Sequence, residues 1–465
     1  MEIGKNKNKN MNRTTNDLEI ESVGKLLLRY SIPAIIAMLV NSLYNIVDRV
    51  FIGQGVGAMA ISGLALTFPI STLQTACGML IGAGAGARIS IVLGKKDKDW
   101  AERILANALM LSFLISGIFI LTATIFLDEI LLAFGGSEET IKYAESYLRI
   151  LIPGSIFSTL TFSFCNMLRA SGYPSRSMFI IVSGAILNTI LDPIFIFVLD
   201  LGIEGAAYAT ILSMAITSVV AVGSFLRKES NIQFRFRNFK LKLTIIRNIL
   251  AIGISPFLIN ATSAGIVAMV SFLLIRHGGD LAVGAYGIVN SFIVLMILMV
   301  IGICQGMQPI VGYNFGAGHR DRMKDTLKLS VYAGVAVMSI GFIIAMVAPR
   351  YVALAFTKDP ELIDLAVVGL RYVSLVAPLI GFQIVVTNFF QSIGKVKISI
   401  FLSLSRQVLF LFPLLFIIPR FFGLNGVWLA MPISDTISMI VTTLVLYRSR
   451  YLFRTSHLGG KDGID

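Results

Sequence analysis

The residues best suited to chemistry in this chain are acids set among apolar neighbours. Asp48 lies in NSLYNIVDRVFIG and Asp192 in LNTILDPIFIF. A charged side chain at the centre of a bilayer costs roughly 2.5–3.5 kcal/mol even on insertion scales, so an acid kept there marks a functional position. Asn41, Asn45 and Asp48 follow i, i+4, i+7 spacing and form a polar stripe on one helix face, with Tyr44 among them. Asn188 and Asp192 are four apart and share a face, and Pro193 frees a backbone carbonyl directly after them. Thr210 offers a hydroxyl at similar depth. A carboxyl taken out of water keeps its proton until a cation approaches. Two carboxyls with Asn and Thr oxygens can therefore exchange H⁺ or Na⁺ for an organic cation, which is the physical core of an antiporter.

The C-terminal half offers different groups. Asn260, Gln305, Gln383 and Asn388 sit in apolar runs without an acid beside them, and Asn166 is a similar candidate in the first half. Arg406 and Asp435 are expected to pair with each other. Arg88, near a helix end, is expected to extend its head to the interface. Three cysteines are scattered through apolar runs and three histidines lie apart, so neither a disulfide framework nor a metal site is expected.

These residues need long apolar elements to carry them. The chain of 465 residues is 56% hydrophobic and 14% charged, against about 25% charged in soluble domains. Such a surface suits lipid. Apolar segments fall at 26–52, 58–88, 104–127, 142–168, 174–199, 203–226, 247–276, 282–313, 326–348, 362–391, 397–418 and 423–447. Each is long enough for a helix crossing a core of about 30 Å, and too long for a barrel strand. The expectation is an all-α integral membrane protein of about twelve spans.

Net charge is +13, but its placement argues against nucleic-acid binding. With the N-terminus inside, the cytosolic loops and tails collect most of the 39 lysines and arginines, including Lys95, Lys96, Lys98, Arg235, Arg237, Lys240, Lys242, Arg320 and Arg322. This is the positive-inside pattern. It predicts a multi-pass membrane protein with both termini cytosolic and an even number of spans. The expected organisation is a polar tail at 1–24, a first lobe at 25–226, a basic linker at 227–247, a second lobe at 248–449 and a tail at 450–465. The N-terminal tail has no apolar core of a signal peptide.

The two halves match each other in order. A shift of 224 brings Gly63 onto Gly287, Gly94 onto Gly318 and Asp97 onto Asp321. A shift of 222 brings Asn166 onto Asn388 and Gly172 onto Gly394, and a shift of 221 brings Gly202 onto Gly423. Six spans per half keep both halves in the same orientation, which makes a parallel repeat. The repeat does not extend to the chemistry, since Asn188 and Asp192 meet Phe410 and Leu414.

Ile32-Pro33, YNIVDRVFIG at 44–53, LRASG at 168–172, NTILDP at 188–193 and GIEGAAYAT at 202–210 together resemble the multidrug and toxic compound extrusion (MATE) transporters, over about 25–450. The resemblance implies a V-shaped fold of two six-helix bundles. It also implies cation-coupled efflux of lipophilic cations. Its DinF-like prokaryotic branch uses an Asp on the first helix, an Asn and Asp on the fifth and a Thr on the sixth. These match Asp48, Asn188, Asp192 and Thr210, which would also hold Na⁺ if Na⁺ is the coupling ion. The acids that another branch carries on helices seven and ten are missing here. No cofactor is expected beyond the H⁺ or Na⁺, and the partners are the bilayer and small organic cations, with the chain working as a monomer. The alternative is a lipid-linked saccharide or polysaccharide flippase of the same superfamily, whose phosphate-bearing cargo calls for a basic cavity. An intramembrane aspartyl protease lacks its GxGD here, and no GK[ST] phosphate loop is present for ATP.

Overall fold

The computed structural model describes residues 17–134, 137–227 and 230–453, apart from the side chains at 58, 138 and 264. The expected tails lie outside these residues up to position 16 and from position 454. Among the described residues there is no strand, and helices fill nearly the whole chain.

Among the described residues, ten helices are long and apolar enough to cross a bilayer, and one bent pair makes an eleventh crossing. One of the ten, Leu243–Ala317, has 75 residues, or about 110 Å if straight, far beyond one membrane thickness. It breaks at Gly279, where φ is 69° and ψ −167°. Counting it as two gives the twelve spans expected.

The N-terminal lobe holds α1 (Val23–Gly55), α2 (Ala58–Gly94), α3 (Lys98–Ile125), α4 (Glu138–Ala170), α5 (Pro174–Val198) and α6 (Gly202–Gly223). The C-terminal lobe holds α7 (243–278), α8 (280–317), α9 (Arg320–Val347), α10 (Pro360–Ser374 with Ala377–Ser392), α11 (Val396–Ile417) and α12 (Pro419–Arg448). α3 begins earlier than its apolar run because Asp97 caps it, accepting from Trp100 N at 2.9 Å. α10 is not one straight span. It bends by 50° between Ser374 and Ala377, where Pro378 removes a backbone donor at the start of the second piece. Two short helices, Leu127–Ala133 and Pro349–Leu354, connect spans in equivalent places 222 residues apart.

The repeat is written into the backbone. Gly57 and Gly279, 222 residues apart, both take positive φ at the turn between the first two spans of a lobe. Gly172 and Gly394, also 222 apart, do the same after a lobe's fourth span. Only glycine adopts this region without strain. An apolar core runs through both lobes around Phe164, Phe225, Phe389, Phe390 and Trp428, all buried. Cys77, Cys165 and Cys304 are free and buried.

The lobes meet where the basic loops are. A methyl group on Gly94 would land on the carbonyl of Tyr313, and one on Gly316 would land on the carbonyl of Ile91. These two contacts exchange under a shift of 222, so the seam between α2 and α8 is two-fold symmetric. In lipid there is no hydrophobic drive between helices, and small residues that let backbones touch hold such crossings together. A helical turn at 17–20 leads into a strap across this seam. Leu18 is fully buried, and its carbonyl accepts from Asn314 Nδ2 at 3.3 Å and Arg322 at 3.2 Å. The Glu21 carbonyl accepts from Arg322 at 2.6 Å, and Tyr313 donates its hydroxyl to Glu19 at 3.3 Å.

Candidate functional site

α1, α5 and α6 bring the strongest sequence candidates into one buried cluster. Asp192 is 0% exposed, Asn188 3%, Asp48 7% and Thr210 7%. Asn188 Nδ2 donates to Asp192 Oδ1 at 3.0 Å and to Thr210 Oγ1 at 3.3 Å. The Asp48 and Asp192 carboxyls are close neighbours across α1 and α5, and two like charges held close in a dry site are costly unless a cation joins them. Arg49, the neighbour in sequence, is exposed.

Three acceptor oxygens in the cluster are buried without a donor: Asp48 Oδ1, Asn188 Oδ1 and Asp192 Oδ2. Buried polar atoms are ordinarily paired, and exceptions ask for an explanation. Oxygen-only surroundings suit a proton or a hard cation. The cluster borders a cavity of about 50 Å³ lined by Asn41, Tyr44, Thr161, Asn188, Thr210 and Thr217, among others. That space takes a small ion or a few waters. Drug-sized ligands occupy about 300 Å³ or more.

α5 ends in an unusual way. The helix runs through Pro193 into a π-type turn at Ile194–Val198, and Leu199 N reaches back to Ile194 O at 2.9 Å. Proline supplies no N–H, so the ladder is already broken beside Asp192, and π turns of this kind recur at functional positions.

Not every residue of the first-helix stripe joins the cluster. Asn45 is exposed and donates to Asn41 O of its own helix at 2.6 Å. At about 100° per residue, Asn41 and Asp48 lie within about 20° of each other, whereas Asn45 sits about 60° from Asp48. Tyr147 on α4 went unnoticed in the sequence. It is 6% exposed, and its hydroxyl lies near Thr210, Asp48 and Tyr44. A single tyrosine in an apolar helix carries no spacing signal, and only the packing of α4 on α6 shows its role as a neighbour.

The secondary candidates are dispersed. Asn166 accepts from Arg169 at 2.8 Å and donates to its own helix, as Asn388 does at Ile384 O. Asn260 Nδ2 lies 3.3 Å from Met79 Sδ and Gln305 Nε2 3.7 Å from Met38 Sδ, both across the two lobes. Gln383 is buried with an unpaired oxygen. Arg406 Nε donates to Asp435 Oδ1 at 2.6 Å, as expected of a pair. Gln407, which sequence reasoning passed over, joins the Thr262 hydroxyl at 2.6 Å and the Ser263 hydroxyl at 2.9 Å.

The MatE family profile matches residues 33–194 and 256–417. The chain belongs to the MatE family. The second match begins 223 residues after the first, in step with the repeat. Multidrug export protein MepA of Staphylococcus haemolyticus (strain JCSC1435) is 30% identical over 433 residues, covering 93% of this chain and 95% of that protein. MepA of Staphylococcus aureus (strain MRSA252) is 29% identical over 448 residues, covering 95% of this chain and 97% of that protein. Among solved structures, the MATE multidrug transporter DinF-BH is 35% identical, with a TM-score of 0.87 over 93% of this chain and 97% of that one. The outward-facing conformation of a MATE family transporter of the MOP superfamily gives a TM-score of 0.89 at 25% identity, over 94% and 98%. As a MatE family member the chain is a multi-pass membrane transporter and not an enzyme.

Proposed function

We propose that this chain is a secondary active multidrug efflux transporter of the bacterial inner membrane, with both termini cytosolic, that exports lipophilic organic cations in exchange for H⁺ or Na⁺ by alternating access. Similarity to the MepA multidrug export proteins supports the efflux reading. One observation carries the coupling: Asp48 and Asp192 are buried together with Asn188 and Thr210, and three of their oxygens lack a donor. In this reading H⁺ or Na⁺ binds these oxygens from the outer side and neutralises the pair. The charge balance of the pair then decides whether an organic cation stays.

The cavity beside Asn188 is too small for the cargo, so the two bind at different places. The organic cation lies between the lobes, where Met38, Met79, Asn260 and Gln305 face each other. Methionine surfaces adapt to varied apolar shapes. A flippase for phosphate-bearing lipid-linked saccharides fits less well, because the deepest charges of the N-terminal lobe are the two acids.

The test is cationic-dye transport in inside-out vesicles, with pH and Na⁺ gradients imposed separately. Dye is expected to move under at least one gradient, and Asp48→Asn or Asp192→Asn is expected to abolish that dependence. Dye movement under neither gradient overturns the antiporter reading. Wild-type coupling in both variants overturns the site.

A further inference from the structure

A second cavity, of about 290 Å³, lies at the basic face, away from the acids. It is lined by Arg103, Asn107, Arg237, Asn238, Lys240 and Lys242. The inter-lobe linker forms it by folding against the start of α3. Asn107, fully buried, fastens the two. Its Nδ2 donates to Arg103 O at 2.9 Å and Lys240 O at 3.2 Å, and its Oδ1 accepts from Lys242 N at 2.9 Å. Arg235 Nε reaches Glu102 Oε2 at 2.7 Å, and Phe234 packs on Phe164, Phe225 and Phe239. The linker is thus a built wall.

The wall is rich in donors. Asp99 is shared by Arg103 at 2.8 Å and Arg237 at 2.5 Å. Among the described ion pairs no acid reaches Lys240 or Lys242, and the Lys242 ammonium lies 5.6 Å from the centre of the Trp100 ring. Asn238 is 4% exposed, and its Nδ2 donor is buried without an acceptor. Four cations, one shared acid and an unused amide donor call for an anion with several acceptor oxygens, which is the chemistry of a phosphate.

The same segment also states where that phosphate comes from. Apolar and basic residues alternate over the last of the linker and the first residue of α7: Phe239, Lys240, Leu241, Lys242, Leu243. Lys240 and Lys242 face the cavity, and Phe236, Leu241 and Leu243 are 99%, 58% and 80% exposed. Exposed apolar side chains at the ends of membrane helices belong in the headgroup and acyl boundary, and basic clusters there attract anionic lipid. We propose that this cavity holds the phosphodiester headgroup of an anionic phospholipid, with the acyl chains running along Leu241 and Leu243.

The test uses the purified full chain in detergent and native mass spectrometry, with added phosphatidylglycerol or phosphatidylcholine of equal chain length. Wild type is expected to retain phosphatidylglycerol at least about tenfold better. Lys240→Gln/Lys242→Gln is expected to lose that preference. Lys324→Gln/Lys397→Gln removes the same charge from exposed positions on the basic side and is expected to keep it. Equal retention of the two lipids overturns the proposal, as does an equal loss in both double variants. A third arm adds inorganic phosphate at matched ionic strength. Displacement of phosphatidylglycerol by millimolar phosphate would assign the cavity to a free anion and overturn the lipid source.

Discussion

Asn188 Nδ2 donates to Asp192 Oδ1 at 3.0 Å across a single turn of α5, and the other Asp192 oxygen is left buried without a donor. The amide fixes the carboxyl's rotation and also ties it to Thr210 on α6. A hydrogen bond to a charged group contributes about 1.5–3 kcal/mol. Asn188→Ala is therefore expected to lower coupled dye efflux by about tenfold or more while thermal unfolding in detergent shifts little. Unchanged efflux would remove Asn188 from the coupling site.

The seam between the lobes makes a second prediction. Gly94 and Gly316 each sit against a backbone carbonyl of the other lobe. Overpacking a tight contact costs about 1–3 kcal/mol. Gly94→Ala and Gly316→Ala are each expected to open the basic face, seen as a longer distance between spin labels at positions 95 and 324. A distance distribution identical to wild type in both variants would mean that the seam does not depend on these glycines.

Arg406 and Asp435 invite a test of a structural pair. Asp435 is 4% exposed and receives Arg406 Nε at 2.6 Å, while the Ser434 hydroxyl donates to Arg406 O at 2.8 Å. Removing one member of a buried pair typically costs about 3–5 kcal/mol, whereas replacing both with apolar residues can be neutral. Arg406→Met and Asp435→Leu are each expected to lower the unfolding temperature, and the double variant to recover most of the loss. Additive losses would point to separate roles.

The strap responds to acid in a defined direction. Glu21 is held below the usual carboxylate range by its hydrogen bond from Lys25, helped by the charges of Lys25 and Arg29 and opposed by partial burial. A carboxyl whose value falls on docking contributes fully above its ordinary value, and the contribution is lost as pH falls through the lowered one. Hydrogen exchange at residues 17–22 is expected to be slow near neutrality and to speed up, beyond its intrinsic pH dependence, below the ordinary carboxylate range. Glu21→Gln should flatten that response. A strap equally protected at all pH values would show that its backbone contacts to Arg322 suffice.

Much of this was legible in the chain because membranes impose simple rules. Length and apolarity announced the spans, and the shift of 222 announced the paired turns at Gly172 and Gly394. Asn188 and Asp192 were visible because one helix places residues four apart on one side. Contacts between helices were not legible. Tyr147 meets Thr210 only through packing, and Asn45 was misleading because a three-member stripe spans more of a helix than the buried strip. The bend at Ser374–Ala377 was hidden for a different reason: the apolar run continues through it, and hydropathy is blind to a missing N–H. The basic linker looked like solvated charge, and its fastening by Asn107 depends on a residue more than a hundred positions away.

The seam also has a mechanical meaning. α2 has 37 residues, about 55 Å of helix, and backbone contacts clamp it to the partner lobe from Leu80 and Gly84, against Gly253 and Ile249, down to Gly94. The stretch from Ala58 to Met79 lies beyond the clamp and works as a lever arm of about 33 Å. A rotation of about 10° at the clamp carries its far end through roughly 6 Å. On the proposed reading, a change of charge balance at the acid pair need only tilt this arm and need not push the lobes apart directly.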